Sequence, residues 1–103
     1  MNLNKLMKQA QKMQEKMAQA QAELAEKTVE VQAAGGKITV VANGAGDVIS
    51  IKIAKEIVDP EDVEFLEAAV LSGVRQAIAE GKELAQSEMT KITGGLGVTG
   101  LGL

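Results

Sequence analysis

The sequence predicts an α+β fold with a long N-terminal helix, a three-stranded antiparallel β-meander, a long C-terminal helix and a flexible Gly-rich tail. Apolar residues recur every three or four positions near both ends of the chain, which is typical of helices. They alternate with polar residues in the middle, which is typical of strands. Glycine-rich turns interrupt the alternating part twice. We expect a single domain over residues 1–93 and the tail over residues 94–103.

The first helix is predicted over residues 3–27, a segment without Gly or Pro. Its apolar residues follow alternating steps of three and four, which is the spacing of a helix face that packs against a partner. They are Leu3, Leu6, Ala10, Met13, Met17, Ala20 and Leu24. A helix of this length spans roughly 36 Å. The rest of so short a chain cannot cover it fully, so we expect part of it to project.

Three strands are predicted at residues 28–34, 37–43 and 47–54. The first turn is a two-residue hairpin loop at Gly35-Gly36, because glycine tolerates the positive φ that such turns need. The second turn lies at residues 43–46. Pairing across the turns sets Val31 opposite Val40, and Val40 opposite Ile49. One face of the meander then carries all the inward apolar residues, namely Val29, Val31, Ala33, Ile38, Val40, Ala42, Ile49, Ile51 and Ile53.

The last helix is predicted over residues 60–91. Asp59 is placed to cap its N-terminus, and Pro60 occupies the first helical position, where the missing N–H is not needed. The apolar stripe that follows contains Gly73 and Gly81. Glycine in a helix interior costs about 1 kcal/mol relative to alanine. We therefore expect another element to approach the helix closely at these positions.

The composition argues against enzyme and metal-site chemistry. The chain has no Cys and no His, so it lacks thiolate nucleophiles, the usual zinc ligands and the commonest general base. The carboxylates at Asp47, Glu61 and Asp62 lie in a turn and at a helix start, where acidic residues are common for structural reasons. We expect no catalytic residue, metal, cofactor or small-molecule substrate, and therefore no enzyme.

The apolar residues are mostly small or branched, and Phe65 is the one aromatic residue in the sequence. A chain of this length buries only about two-thirds of its unfolded surface on its own. We therefore expect a second copy to supply part of the burial, in a homodimer.

The N-terminus is polar and does not resemble a signal peptide. No stretch approaches the roughly 20 apolar residues that span a bilayer. Both features fit a cytoplasmic protein with no membrane partner.

The net charge of −3 is unevenly distributed: residues 1–17 carry +3, and residues 18–103 carry −6. The Debye length at physiological salt is about 8 Å, so a ligand near the first helix experiences its positive charge more than the acidic remainder. Such asymmetry indicates a polyanionic or acidic partner.

The cations of the first helix recur at steps of three and four on the side away from the apolar stripe. They are Lys5, Lys8, Lys12 and Lys16. The stripe spans about 16 Å of helix, and duplex DNA presents one charge per roughly 1.7 Å of its axis, so several phosphates are within reach at once. Asn4 and Gln9 add hydrogen-bonding groups for phosphate or base edges. The helix has no Arg, which predicts little direct sequence readout.

A second interpretation remains open from these residues. The first helix is also typical of a coiled-coil-type protein-interaction module whose cations bind an acidic protein partner.

The ordered motifs resemble the YbaB/EbfC family of bacterial nucleoid-associated proteins over essentially the whole chain. The resemblance rests on their order and spacing more than on any single one of them. The segments that carry it are residues 1–14, MNLNKLMKQAQKMQ; residues 35–40, GGKITV; the turn at Asn43-Gly44; residues 59–62, DPED; and residues 89–96, MTKITGGL.

The resemblance implies a small cytoplasmic homodimer, shaped like tweezers with protruding helices, that binds duplex DNA and helps to organise the nucleoid or to influence expression. It also implies DNA contacts on the first and the last helix. Carried onto this chain, the contact residues are Lys5, Lys8, Lys12 and Lys16, together with Arg75, Lys82 and Lys91.

Overall fold

A computed structural model of the chain describes residues 2–95, with side chains described for residues 2–91. The main elements are helix α1 (Leu3–Glu26), strands β1 (Thr28–Ala33), β2 (Ile38–Asn43) and β3 (Val48–Ile53), and helix α2 (Val63–Gly95). This order confirms the predicted α+β fold. The tail was predicted over residues 94–103. Its first two residues, Gly94 and Gly95, belong to α2, and the rest of it lies outside the described residues.

The three strands form one antiparallel sheet in the order β1-β2-β3. The first hairpin has the predicted register, with Val31 opposite Val40. Its loop differs from the expected two-residue turn, because Ala34–Gly36 form a turn of 3-10 helix. Ala34, Gly35 and Gly36 all have positive φ, at 53°, 64° and 90°. Glycine adopts this region without the Cβ clash that other residues suffer, which explains two of the three residues.

The second hairpin differs from the predicted register by two residues, because Val40 lies opposite Ile51 and not opposite Ile49. β2 continues through Asn43, whose backbone N–H donates to the carbonyl oxygen of Asp47 at 2.9 Å. A β-bulge next to this tight turn leaves Ile49 as the extra residue of β3. Simple alternation cannot predict a bulge, because each bulge adds one residue to one strand only.

Helix α2 packs across β1 and β2 and forms the core with them. The buried cluster consists of Val31, Ile38, Val40, Ala42 and Ala77. The predicted close approaches on α2 are confirmed. A Cβ on Gly73 would lie 3.0 Å from Cγ2 of Val40, and a Cβ on Gly81 would lie 2.5 Å from the backbone oxygen of Asn43.

Strand β3 is left largely uncovered by α2. Its apolar residues Val48, Ile49, Ile51 and Ile53 are all exposed, and so are Val63, Phe65 and Leu71 of α2. The predicted apolar face of the sheet is therefore covered on β1 and β2 and open on β3.

Helix α2 begins at Val63, three residues later than predicted. The side chain of Asp62, not that of Asp59, caps it by accepting a hydrogen bond from the backbone N–H of Phe65 at 3.3 Å. Asp59 instead accepts from the backbone N–H of Glu61 at 2.9 Å and closes a turn before the helix. An aspartate followed by proline suits either arrangement, so the sequence alone did not distinguish them.

Helix α1 joins the rest of the protein only near its C-terminus, where Ala20 and Leu24 are buried. We call residues 3–19 of α1 the arm, and residues 20–95 the body. The structure measures 71 × 26 × 16 Å and has a radius of gyration of 19.7 Å. A compact domain of this length would have a radius of about 13 Å, so the arm projects as predicted.

Within residues 2–95, neither helix has an apolar stretch long enough to cross a lipid bilayer.

Candidate nucleic-acid interface

The arm is helical because its sequence favours a helix at every position except Asn4. It consists of Ala, Leu, Met, Gln, Glu, Lys and one Asn, without β-branched residues, Gly or Pro. The side chain of Asn2 caps its N-terminus by accepting a hydrogen bond from the backbone N–H of Lys5 at 3.3 Å. High intrinsic propensity matters here, because the arm receives almost no support from tertiary packing.

The four lysines of the arm lie together on one side of the helix. At 100° per residue, they fall within an arc of about 80° and along about 16 Å of the helix axis. All four are exposed. We call this group the lysine face, and it consists of Lys5, Lys8, Lys12 and Lys16. Asn4 and Gln9 flank the lysine face, each within about 40° of the nearest lysine around the axis.

No described carboxylate forms an ion pair with the lysine face, although Glu15 lies at its edge, three residues after Lys12. The ion pairs among the described side chains are Lys27–Glu88, Lys37–Glu56 and Lys91–Glu88. None of them involves the arm. The ammonium groups of the lysine face are therefore available to an external anion.

The apolar stripe of α1 is covered only at its base. Ala20 and Leu24 are buried in the body, whereas Leu3 has 68% of its surface exposed. The other large apolar residues exposed along the arm are Leu6, Met7 and Met17. The arm thus offers two uncovered surfaces, one cationic and one apolar.

The candidate residues on α2 do not form one group. Arg75 and Lys82 are seven residues apart, so they share a side of the helix, whereas Lys91 lies on the opposite side. Lys91 is 3.8 Å from a carboxylate oxygen of Glu88, which is also 3.0 Å from the ammonium group of Lys27. The hydrogen bond from Lys27 lowers the pKa of the Glu88 carboxyl, and partial desolvation opposes this shift. Lys91 thus belongs to an ion-pair network at the base of the arm.

Sequence reasoning treated Asn43 as a turn residue and missed its role at the base of the arm. Asn43 is buried, and its amide Nδ2 donates to the backbone oxygen of Ala25 at 3.1 Å. Its Oδ1 accepts from the backbone N–H groups of Ala45 and Asp47, at 3.0 and 2.9 Å. An Asn-Gly pair after an alternating strand signals a turn, but the bond to Ala25 joins residues 18 positions apart and leaves no local pattern.

The carboxylates considered for chemistry have structural roles where the structure shows their contacts. Asp62 accepts a backbone hydrogen bond at the start of α2. The described side chains contain no group of three or more residues that could hold a metal ion.

Residues 1–96 match the profile of the YbaB/EbfC DNA-binding family. The chain belongs to this family. A nucleoid-associated protein of Ruminiclostridium cellulolyticum is 54% identical over 96 residues, which cover 93% of this chain and 84% of that protein. A nucleoid-associated protein of Clostridium novyi is 48% identical over 101 residues, which cover 98% of this chain and 89% of that protein. The resemblance seen in the sequence is therefore confirmed.

A crystal structure of an uncharacterized protein from Helicobacter pylori has a similar fold. The TM-score is 0.66 at 17% identity, and the match covers 81% of this chain and 96% of that one. At this identity the similarity concerns the fold alone.

Among the described residues of this YbaB/EbfC chain, no other helix or strand carries as many cations without an ion pair as α1 does in the lysine face.

Proposed function

We propose that this chain is a homodimeric nucleoid-associated protein that binds duplex DNA mainly through phosphate contacts from the lysine face. The observation that carries the proposal is the projecting arm, with four exposed lysines free of ion pairs among the described residues. Membership of a DNA-binding family supports DNA as the polyanion.

The geometry of the lysine face suits the phosphate backbone better than the bases. Lysine is a point charge on a flexible stem, and each phosphate it neutralises releases a condensed counterion. Asn4 and Gln9 add hydrogen bonds at the edges of the lysine face. The arm has no Arg for bidentate recognition of guanine and no aromatic residue for base stacking. Binding should therefore depend strongly on salt and weakly on sequence.

The cations of α2 would contribute less than the lysine face. Arg75 and Lys82 are exposed and share a side of the helix, so they form a secondary phosphate-binding surface. Lys91 shares Glu88 with Lys27, and a contact from Lys91 to DNA would compete with that carboxylate.

The uncovered apolar surface of the body supports the homodimer. A second copy would cover the exposed apolar residues of β3 and some of those on α2, and monomeric proteins rarely leave large apolar patches open. Two copies would present two arms, which doubles the number of phosphates that one particle neutralises. The curated relatives carry the name nucleoid-associated protein. This supports a place on the nucleoid in the cytoplasm, with an influence on gene expression as a consequence of DNA binding.

A protein-interaction module is the competing function, and the uncovered apolar residues of the arm favour it. An acidic protein partner would use the lysine face and the apolar stripe together. This function predicts no affinity for duplex DNA.

The decisive experiment compares two triple variants of equal net charge. One replaces Lys8, Lys12 and Lys16 by Gln in the arm, and its control replaces Lys37, Lys52 and Lys55 by Gln in the body. Fluorescence anisotropy would measure the affinity for duplex DNA between about 50 and 200 mM salt. The arm variant should bind at least about tenfold more weakly, and the slope of log K against log salt should fall by about 0.9 for each lost phosphate contact.

The control variant should bind like the unmodified protein. Equal losses in both variants would assign binding to overall charge and contradict a role for the lysine face. Undetectable DNA binding by the unmodified protein would favour the protein-interaction module. Sedimentation equilibrium on the same samples should give twice the monomer mass of 10.8 kDa, and a monomer mass would contradict the homodimer.

A further inference from the structure

Helix α1 ends without the glycine that commonly closes a helix. The residue after its last turn, Lys27, is extended, with φ −89° and ψ 131°. A helix end of this kind leaves carbonyl groups without intrahelical donors. Here the turn between β2 and β3 supplies further donors. The N–H of Gly44 donates to the oxygens of Leu24, at 2.9 Å, and Lys27, at 3.0 Å, and the Leu24 oxygen also accepts from the N–H of Lys27 at 3.3 Å. Nδ2 of Asn43 donates to the oxygen of Ala25 at 3.1 Å.

The same turn is fixed on its other side by the body. Oδ1 of Asn43 accepts the two backbone N–H groups within its own turn, so three of its hydrogen-bonding positions are used. Helix α2 passes directly behind it, since a Cβ on Gly81 would lie 2.5 Å from the Asn43 backbone oxygen. On the arm side, a Cβ on Gly44 would lie 2.7 Å from Cδ2 of Leu24. The turn is therefore clamped between the two helices.

We infer that Asn43 is a positioning residue for DNA binding: it fixes the direction in which the arm leaves the body, without touching DNA itself. The predicted effect on DNA affinity rests on the proposed function. The direction of the arm does not, because it can be measured in the protein without DNA. Asn43 suits this role because it is the buried polar side chain that ties α1 to the sheet in the described part of the chain.

The length of the arm makes its direction sensitive to the base. The arm of 17 residues is about 26 Å long, so a rotation of about 20° at its base moves the tip by about 9 Å. Duplex DNA carries one charge per about 1.7 Å of its axis, so this displacement spans about five phosphate charges. A loosely held arm would align its lysines with the backbone only part of the time.

Loss of positioning has a different signature from loss of a contact. If the arm is correctly placed only a fraction of the time, the apparent Kd rises by the inverse of that fraction. The contacts in the bound complex stay the same, so the salt slope does not change. Removing a lysine of the arm, by contrast, lowers the slope.

The test variant is Asn43→Asp, which keeps the size and the acceptor atom of the side chain and replaces the donor to Ala25 by a negatively charged oxygen. The new carboxylate faces a carbonyl oxygen at the negative end of the α1 dipole, so the link is lost. The matched control is Lys27→Gln, which breaks the other side-chain polar link that the described residues show between the base of α1 and the body, the ion pair with Glu88. The control leaves the caps on α1 intact.

Spin-label distances would report the direction of the arm. The chain has no Cys, so cysteines introduced at the exposed positions Gln11 and Glu30 are unique attachment sites on arm and body. Doubly labelled chains diluted with unlabelled chains give the distance within one protomer. Asn43→Asp should broaden the distance distribution and raise the Kd for duplex DNA by about three- to tenfold with an unchanged salt slope. Lys27→Gln should keep the distribution narrow.

An unchanged distribution in Asn43→Asp, or equal broadening in Lys27→Gln, would overturn the inference. Should Asn43→Asp fail to fold, amide hydrogen exchange in the unmodified protein decides, because the Gly44 N–H should then be protected like the core of β2. Exchange at the rate of an open loop would overturn the inference as well. If instead the proposed function is wrong, no variant binds DNA, yet the distance distributions still test the direction of the arm.

Discussion

The arm and the body belong to one chain but are stabilised in different ways. The body is held by a buried cluster between α2 and two strands, in which Ile38 and Val40 have no exposed surface. The arm is held by the intrinsic helix propensity of its residues and by its attachment at one end. As a result, the arm can present all its polar side chains to a ligand, and substitutions there should alter binding with little effect on folding.

The two regions also differ in charge. The arm carries the lysine face, whereas residues 18–103 carry −6 overall. Under the proposed function, a phosphate backbone is attracted to the arm and repelled by the remainder. The difference teaches that net charge alone is a poor guide to a partner when the charges are separated in space.

The largest expected effect distinguishes the two regions by stability. Ile38→Ala removes a fully buried side chain from the core and should lower the free energy of unfolding by about 3 kcal/mol. Leu6→Ala removes a side chain of comparable size from the arm and should change the free energy of unfolding by about 0.5 kcal/mol or less. Urea unfolding followed by circular dichroism measures both values. A similar cost for Leu6→Ala would show that the arm packs against another surface in solution, and the contrast between arm and body would fail.

A smaller effect tests the point where the body touches the base of the arm. Gly81→Ala places a Cβ against the backbone oxygen of Asn43, which cannot move without shifting the turn. We expect a loss of about 2 kcal/mol in stability. Gly73→Ala is the matched variant on the same helix, where the nearest atom is 3.0 Å away in the side chain of Val40. The buried Val40 methyl needs to give by only a few tenths of an ångström, and alanine favours the helix by about 1 kcal/mol, so the net loss should be smaller than for Gly81→Ala.

Thermal unfolding of the two glycine variants would check this difference. Equal stability in Gly73→Ala and Gly81→Ala would mean that the turn at Asn43 yields easily. A turn that yields could not hold the arm in a fixed direction.

The sequence predicted the elements of both regions because their signals are local. Helix and strand periodicities gave the order of elements, and the short first hairpin gave its register correctly, with Val31 opposite Val40. The register of the second hairpin was wrong because the bulge at Ile49 depends on how the turn at Asn43 closes. The start of α2 was wrong because Asp59 and Asp62 are both good caps.

The candidate site was predictable to different degrees in the two helices. The lysine face follows from spacing alone, because all four residues lie on one helix and are exposed. The partner of Lys91 and the role of Asn43 depend on Glu88 and Ala25, which only the fold brings close. Tertiary contacts of this kind have no signature in the spacing of residues along the chain.

The smallest expected effect concerns the ion pair that joins the base of α1 to the body. Lys27 lowers the pKa of Glu88 below its ordinary value of 4.5 in the folded protein. A carboxyl with a lowered folded pKa stabilises the protein above its unfolded pKa, and this contribution is lost as the pH falls through the folded pKa. Glu88→Gln should therefore be slightly less stable than the unmodified protein near neutral pH, and the difference should vanish well below pH 4.5.

The effect should be small because the pair is close to solvent, and exposed pairs contribute little. Thermal unfolding at a series of pH values measures it, with Glu83→Gln as the control. Glu83 is exposed on the same helix and makes none of the ion pairs among the described residues. A difference for Glu88→Gln that persists at acid pH would show that the amide disturbs packing rather than charge. The base of the arm would then be held by the packing of Ala20 and Leu24 and by the hydrogen bonds of the turn at Asn43 and Gly44, without a contribution from the charge of Glu88.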